Sequence, residues 1–326
     1  MTSQAPKRDE SFDILKGLLI LFVIIGHSRF PFSVEHFLFS FHMPAFFFIS
    51  GYFYKKRTLK EELAVDTRRL LIPYAFSCCV LILCNPTLIQ ALTCLLGGQP
   101  IIPLPFLEEI SELGPLWFLL AMFWIRLMAH FLFHSKLVPW MQAGVILLLS
   151  FASMKNFSSF HVFVPWYLPS ACCALGFFFV GHRLRSFTDA PSKYKWTLFT
   201  VSMACWIYCI LYSGMAINGC LFGAYYVIDL IGALGGTLAV YMLSRWISHN
   251  KPTATFLGFI GRYSLVAFCF HAIECPLFPW ERLASFIQDY SVLANVVICL
   301  ARIAVILLLT RCAVAIPVFR KIFGYN

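Results

Sequence analysis

The chain has 326 residues, 60% of them hydrophobic and 12% charged, with a formal net charge of +10. Soluble domains carry about 25% charged residues, so this sequence has too few charges to coat a soluble surface. A mean hydropathy of +0.80 instead points to an all-α, polytopic membrane bundle with a lipid bilayer around it. The basic excess then belongs to loops on one membrane face, and no nucleic-acid partner is expected.

Apolar runs of roughly 20 residues fall near 12–30, 36–54, 69–90, 115–134, 138–154, 165–184, 196–214, 222–247, 256–274 and 291–317. These are ten expected spans. Residues 97–113 read as an extramembrane loop with a short interfacial helix. The first run lacks a small-residue cleavage pattern and is expected to be retained as a helix.

Loop charge sets the orientation. Lys55, Lys56, Arg57, Lys60, Arg68 and Arg69 follow the second run. Lys136 follows the fourth, and Arg183, Arg185, Lys193 and Lys195 follow the sixth. Arg245 and Lys251 follow the eighth, and Arg320 and Lys321 the tenth. The alternate loops hold only Arg29, Lys155 and Arg282, with Glu108, Glu109 and Glu112. Both termini are therefore expected in the cytoplasm of a multi-pass protein of the plasma or inner membrane. No loop is long enough to fold alone, so residues 1–326 form one integral-membrane domain.

There are 13 Cys, most of them inside apolar runs and none in a CxxC pair. Cys205 and Cys209 are one turn apart, but no His or acidic residue stands near to complete a metal set. The thiols read as small buried apolar groups, and no metal site is expected.

The chemistry concentrates in 13–52. Asp13, Lys16, Gly17, Ile20, Ile24 and His27 share one helical face, and Asp13 to His27 is about 21 Å of helix rise. Asp13 and Lys16 can pair at i,i+3. His42 opens the second apolar run, near the same end as His27. Both imidazoles are costly to bury and titrate near neutral pH, so they are the candidate catalytic pair. The bland reading makes His27 an interfacial residue, His42 a helix-packing group, and Asp13 with Lys16 an end anchor. Arg68 and Arg69 open the third run, where they can bind lipid headgroups or clamp phosphates. Trp117, Trp166 and Tyr167 fall where aromatic belts are expected. His271 and Glu274 lie at the level of His27. Arg302 is far from either end of its span and requires a partner, for which Asp229 and Glu274 are candidates. Arg126 poses the same problem.

These residues also form motifs: D-I-L-K-G…G-H at 13–27, F-H-M-P…F-F-x-I-S-G-Y at 41–52 and R-R-L-L-I-P-Y at 68–74. L-W-F-L (116–119), W-Y-L-P…G-F-F-F-V-G (166–181) and G-R-Y-S-L…H (261–271) follow. In this order the chain resembles the membrane-bound acyltransferase 3 family. The particular branch looks like that of the fucose O-acetylases, enterobacterial common antigen O-acetyltransferases and polysaccharide intercellular adhesin modifiers. The resemblance implies ten core helices and a cytoplasmic acyl-CoA donor, usually acetyl-CoA. It implies an acceptor hydroxyl on a glycan or lipid-linked sugar outside. It matches His27 to the family's essential histidine, His42 to the second-helix histidine of the branch, and Arg68 and Arg69 to the motif linked to CoA phosphates. Many relatives carry Arg where this chain has Lys16, which keeps the charge but loses the bidentate fork.

The expected activity is O-acetyl transfer, with His27 and His42 catalytic. Arg68, Arg69, Lys16 and Asp13 are expected on the donor side, and Trp117, His271, Glu274 and Arg302 on the acceptor side. The rival reading is a transporter or flippase for a polysaccharide or lipid-linked sugar, which would use Arg126, Asp229 and Arg302. The absence of paired half-repeats counts against it. A structural or sensory membrane protein is the third reading.

Overall fold

The structure is a computed structural model that describes residues 9–28, 30–98, 113–156, 159, 162, 164–187, 191–223, 225–278, 280, 283 and 292–325. The expected interfacial helix within 97–113, with Glu108, Glu109 and Glu112, lies almost wholly outside these, as do Arg29 and Arg282.

Among the described residues the regular secondary structure is helical, apart from one isolated antiparallel bridge, Ala216 to Leu221. The helices are α1 Glu10–Gly26, α2 Phe32–Phe39, α3 His42–Tyr52, α4 Leu59–Asp66, α5 Ile72–Cys84, α6 Leu88–Leu96, α7 Trp117–His134 and α8 Pro139–Lys155. They continue as α9 Leu168–Phe187, α10 Ser192–Tyr212, α11 Tyr226–Ile247, α12 Lys251–Arg262, α13 Ser264–Leu277, α14 Val292–Ala315 and α15 Pro317–Ile322. A π-helical turn at Thr67–Leu71 joins α4 to α5 in one 26-residue helix.

Among the described residues, five helical stretches are long and apolar enough to cross a membrane. They are Leu59–Cys84, Gly114–His134, Ser192–Tyr212, Tyr226–Ile247 and Val292–Ala315. The pair α12 and α13, bent by 69°, makes a sixth if counted as one broken span.

The second expected span is divided. In place of one helix over 36–54 the structure has α2 and α3, broken at Ser40–Phe41. Pro44 explains the position: it has no N–H to give the Ser40 carbonyl, and its ring crowds that group. The third expected span instead begins ten residues earlier, at Leu59. There Thr58 caps the helix by accepting from the Glu61 N–H at 3.4 Å, and the Glu61 side chain accepts from the Thr58 N–H at 3.0 Å.

Glycines let three helix pairs approach closely, as small residues do where lipid supplies no hydrophobic drive between helices. Gly17 and Gly261 join α1 to α12, Gly51 and Gly181 join α3 to α9, and Gly232 and Gly235 join α11 to α10. A Cβ at any of the six would meet backbone of the facing helix. The α1–α12 contact matters most for the site. It fixes α12 along the start of α1, and the bend at Tyr263 then turns α13 toward the other end of α1.

Candidate active site

α1 ends at Gly26, and side chains close its last carbonyls. His27 Nδ1–H donates to Val23 O at 2.8 Å, and Ser28 Oγ donates to Ile24 O at 2.6 Å. Arg302, from the middle of α14, donates through Nη1 to the His27 carbonyl and to Ser28 Oγ, the latter at 3.3 Å. A cation at the negative end of a helix dipole is also electrostatically favourable. With Nδ1 committed, the basic nitrogen of His27 is Nε2.

His271 and Glu274 come from α13. His271 Nδ1–H donates to Glu274 Oε1 at 3.0 Å, and both side chains are about 1% exposed. The same oxygen accepts from Arg302 Nε at 3.0 Å and Nη2 at 2.8 Å, while Glu274 Oε2 accepts from Trp280 Nε1. Glu274 is therefore the buried partner that Arg302 requires. Asp229, the other candidate, is taken by Ser213 Oγ at 2.5 Å and Gly223 N at 2.7 Å.

The His27 and His271 rings meet edge to face, with centroids 5.2 Å apart. Phe39 lies against His27 at 5.9 Å and against His42 at 4.9 Å. A cavity of about 130 Å³ is lined by His27, Phe39, Met43, Gly114, Pro115, Trp117 and the segment Met215–Asn218. His42 is fully buried beside it rather than among its lining residues. Its Nδ1–H donates to Leu38 O at 2.6 Å across the α2–α3 break, and its Nε2 is buried without a hydrogen-bond partner.

The other predicted residues separate into three places. Trp117 lines the His27 cavity and packs on the buried Tyr167 at 5.9 Å, so this part of the expected aromatic belt faces protein. Lys16 and Asp13 pair at 2.9 Å at the opposite end of α1 from His27. Arg68 and Arg69 sit on the π turn. Arg68 lines a groove of about 760 Å³, and the aliphatic stem of Arg69 lies against Gly324.

Arg126 is held by two α4 carboxylates, Glu62 Oε1 and Asp66 Oδ1, each at 2.5 Å. Arg57 adds a contact to Glu62 at 3.3 Å, and the Arg126 guanidinium lies 5.6 Å from the centre of the Tyr54 ring. Both intramembrane arginines thus have carboxylate partners.

Among the described residues one group, His271, Glu274 and Cys275, gathers metal-type ligand atoms within 4.8 Å. The Arg302 guanidinium already stands 2.8 Å from Glu274 Oε1 and 2.9 Å from Cys275 Sγ. A cation occupies that position.

Sequence reasoning missed Phe39, Met43 and the Met215–Asn218 segment. None carries a titratable group, and only the fold brings them to His27. It also counted Arg320 and Lys321 as loop charge alone, although both line the Arg68 groove.

A family model described as an acyltransferase domain, that of acyltransferase 3, matches residues 9–311. Neither the curated proteins nor the solved structures compared include a match to this chain.

Proposed function

The chain belongs to the acyltransferase 3 family, and from that premise we propose that it is an O-acetyltransferase. It moves an acetyl group from cytoplasmic acetyl-CoA to a hydroxyl of a cell-surface glycan or lipid-linked sugar. The proposal includes ten spans in the plasma or inner membrane with both termini in the cytoplasm, and the kinship to the fucose O-acetylase branch. The alternation of basic loops supports the orientation.

One observation carries the reading. His27 has its Nδ1 proton engaged by Val23 O and its ring beside a small cavity, next to His271 and Glu274. The acceptor hydroxyl gives its proton to His27 Nε2 while its oxygen attacks the thioester carbonyl. The tetrahedral intermediate expels the CoA thiolate, which takes the proton back from the imidazolium. The ester product and free CoA balance the step. Direct transfer needs donor and acceptor bound together; an acetyl-histidine intermediate would instead give ping-pong kinetics.

Other residues position these groups. Arg302 holds the His27 carbonyl, and Glu274 fixes both Arg302 and the His271 tautomer. His271, fully buried beside His27, packs its ring edge to face on that imidazole while its Nδ1–H donates to Glu274. Trp117 offers the apolar and stacking face common in sugar sites. His42, behind Phe39, supports the wall of the cavity and holds α3 to α2. Arg68 and Arg69 bind donor phosphates, and Asp13 with Lys16 mark the cytoplasmic start of α1.

The transport reading gains no support from the intramembrane charges, since Arg126, Asp229 and Arg302 are each occupied by protein partners. Purified protein in vesicles, given acetyl-labelled acetyl-CoA and an extract of lipid-linked glycans, tests the proposal. Transfer of label to the glycan supports it; label that stays on CoA under all acceptors overturns it.

A further inference from the structure

The matched family segment stops at residue 311, and the residues after it build a groove with Arg68. α15 is pinned by aromatic contacts. Phe319 and Phe323 pack on Phe76 of α5 with centroids 5.7 and 5.6 Å away, and Phe323 is 2% exposed. Tyr325 packs on Tyr263, at the α12–α13 bend, at 5.0 Å. Gly324 has φ +73°, and a Cβ there would come 3.4 Å from Arg69 Cγ. The left-handed backbone at Gly324 favours glycine, and it turns the chain past the π turn.

The result is a groove of about 760 Å³ whose ionisable lining among the described residues comprises Arg68, Arg320, Lys321 and Tyr325, with no carboxylate among those residues. Its volume falls in the range of small-molecule sites, roughly 300–1,000 Å³. Arg320 is only partly exposed, and its Nε–H is buried without an acceptor. Arg320 and Lys321 bring like charge together beside Arg68, and a buried donor without a partner, as Arg320 Nε is, is costly. An anion with several oxygens relieves both.

We infer that the C-terminal segment Pro317–Tyr325 completes the donor site. In it Arg320 and Lys321, which line the groove with Arg68, hold the phosphates of a nucleotide-bearing thioester such as acetyl-CoA. This rests on the donor reading above and adds residues that the family match does not cover. Phosphate chemistry is also offered by lipid headgroups, so the test must separate the two sources. The donor is favoured because the groove joins the π turn that bears Arg68 to a segment anchored on α5 and on the α12–α13 bend, from which α13 carries His271 and Glu274.

The test uses the full chain in nanodiscs, with binding of CoA, dephospho-CoA and pantetheine measured for wild type, R320A/K321A and the single variants K321E and R320K. For wild type, affinity is expected to fall in the order CoA, dephospho-CoA, pantetheine. R320A/K321A is expected to weaken CoA by about 10–100-fold while changing pantetheine little, because charge-assisted contacts to phosphate are lost. KM for acetyl-CoA should rise far more than kcat falls, and R320K should fall between wild type and the double variant, because Lys keeps the charge but loses the Nε–H donor and the fork. Lys321 is exposed, so K321E decides the matter if the double variant does not fold. CoA affinity unchanged in the double variant or K321E overturns the assignment and leaves the donor reading intact. Wild-type protein with no affinity for CoA overturns both. Stabilisation by phosphatidylglycerol over phosphatidylcholine nanodiscs that these variants abolish, with CoA binding intact, would reassign the groove to lipid headgroups.

Discussion

Arg302 Nε and Nη2 both reach Oε1 of Glu274, at 3.0 and 2.8 Å, across 28 residues of chain. The pair ties α14 to α13, and the third guanidinium nitrogen, Nη1, ties both to the His27 carbonyl. It is the joint through which three helix segments hold one imidazole.

Removing one partner leaves an unpaired charge in a buried setting, since Arg302 is 5% and Glu274 1% exposed. Glu274→Ala or Arg302→Ala is expected to cost about 3–5 kcal/mol, seen as a large fall in melting temperature in detergent. The double variant E274L/R302M should recover part of that stability. Its transferase activity should stay low, because His27 and His271 lose their positioning.

Arg126 makes a parallel case at another level of the bundle. Arg126→Met leaves Asp66 buried without its guanidinium and Glu62 with Arg57 alone, and a loss of about 3–5 kcal/mol is expected. Combining it with E62Q and D66N should restore much of the melting temperature. If Arg126→Met alone melts like wild type, the ion cluster does not hold α4 to α7.

Two glycines on α12, three residues apart, give a matched comparison. A Cβ at Gly258 meets nothing within 4 Å, whereas one at Gly261 runs into the Asp13 backbone. Gly258→Ala should be neutral or stabilising by up to about 1 kcal/mol. Gly261→Ala should destabilise by about 1–3 kcal/mol through overpacking, because α1 and α12 must separate. Thermal melts of the two variants in the same detergent check this.

His42 and His27 separate experimentally. His42 Nδ1 closes the α2–α3 break and its ring is fully buried, so His42→Ala removes packing and a backbone bond together. It should lower stability by about 2–4 kcal/mol and lower activity with it. His27→Ala should cost less and leave the melting temperature within a few degrees, since its ring makes one hydrogen bond at a helix end and borders a cavity instead of filling the core.

Much of the site was legible because it is local. Asp13–Lys16 and His271–Glu274 are i,i+3 pairs on single helices, and helical spacing alone brings them together. The need of Arg302 and Arg126 for partners was legible from their depth in apolar runs. Which carboxylates serve them was not: Glu274 lies 28 and Glu62 64 residues away, and only packing chooses among candidates. Glu62 and Asp66 fall in the basic stretch between the second and third expected spans, whereas the Thr58–Glu61 capping box starts a helix that buries both. The break before His42 follows from Pro44, yet a continuous Phe-rich run conceals it from a hydropathy window. The role of Trp117 was split between belt and substrate face, and its place on the cavity wall depends on Tyr167, 50 positions further along the chain.

The central claim is that His27 carries the proton of the acceptor hydroxyl. It is tested most directly by single-turnover transfer of labelled acetyl from acetyl-CoA to a lipid-linked glycan, comparing wild type with His27→Ala of equal melting temperature. The expected result is a loss of about 10²–10⁴-fold in transfer rate with CoA affinity retained. Transfer by His27→Ala at the wild-type rate would contradict the account.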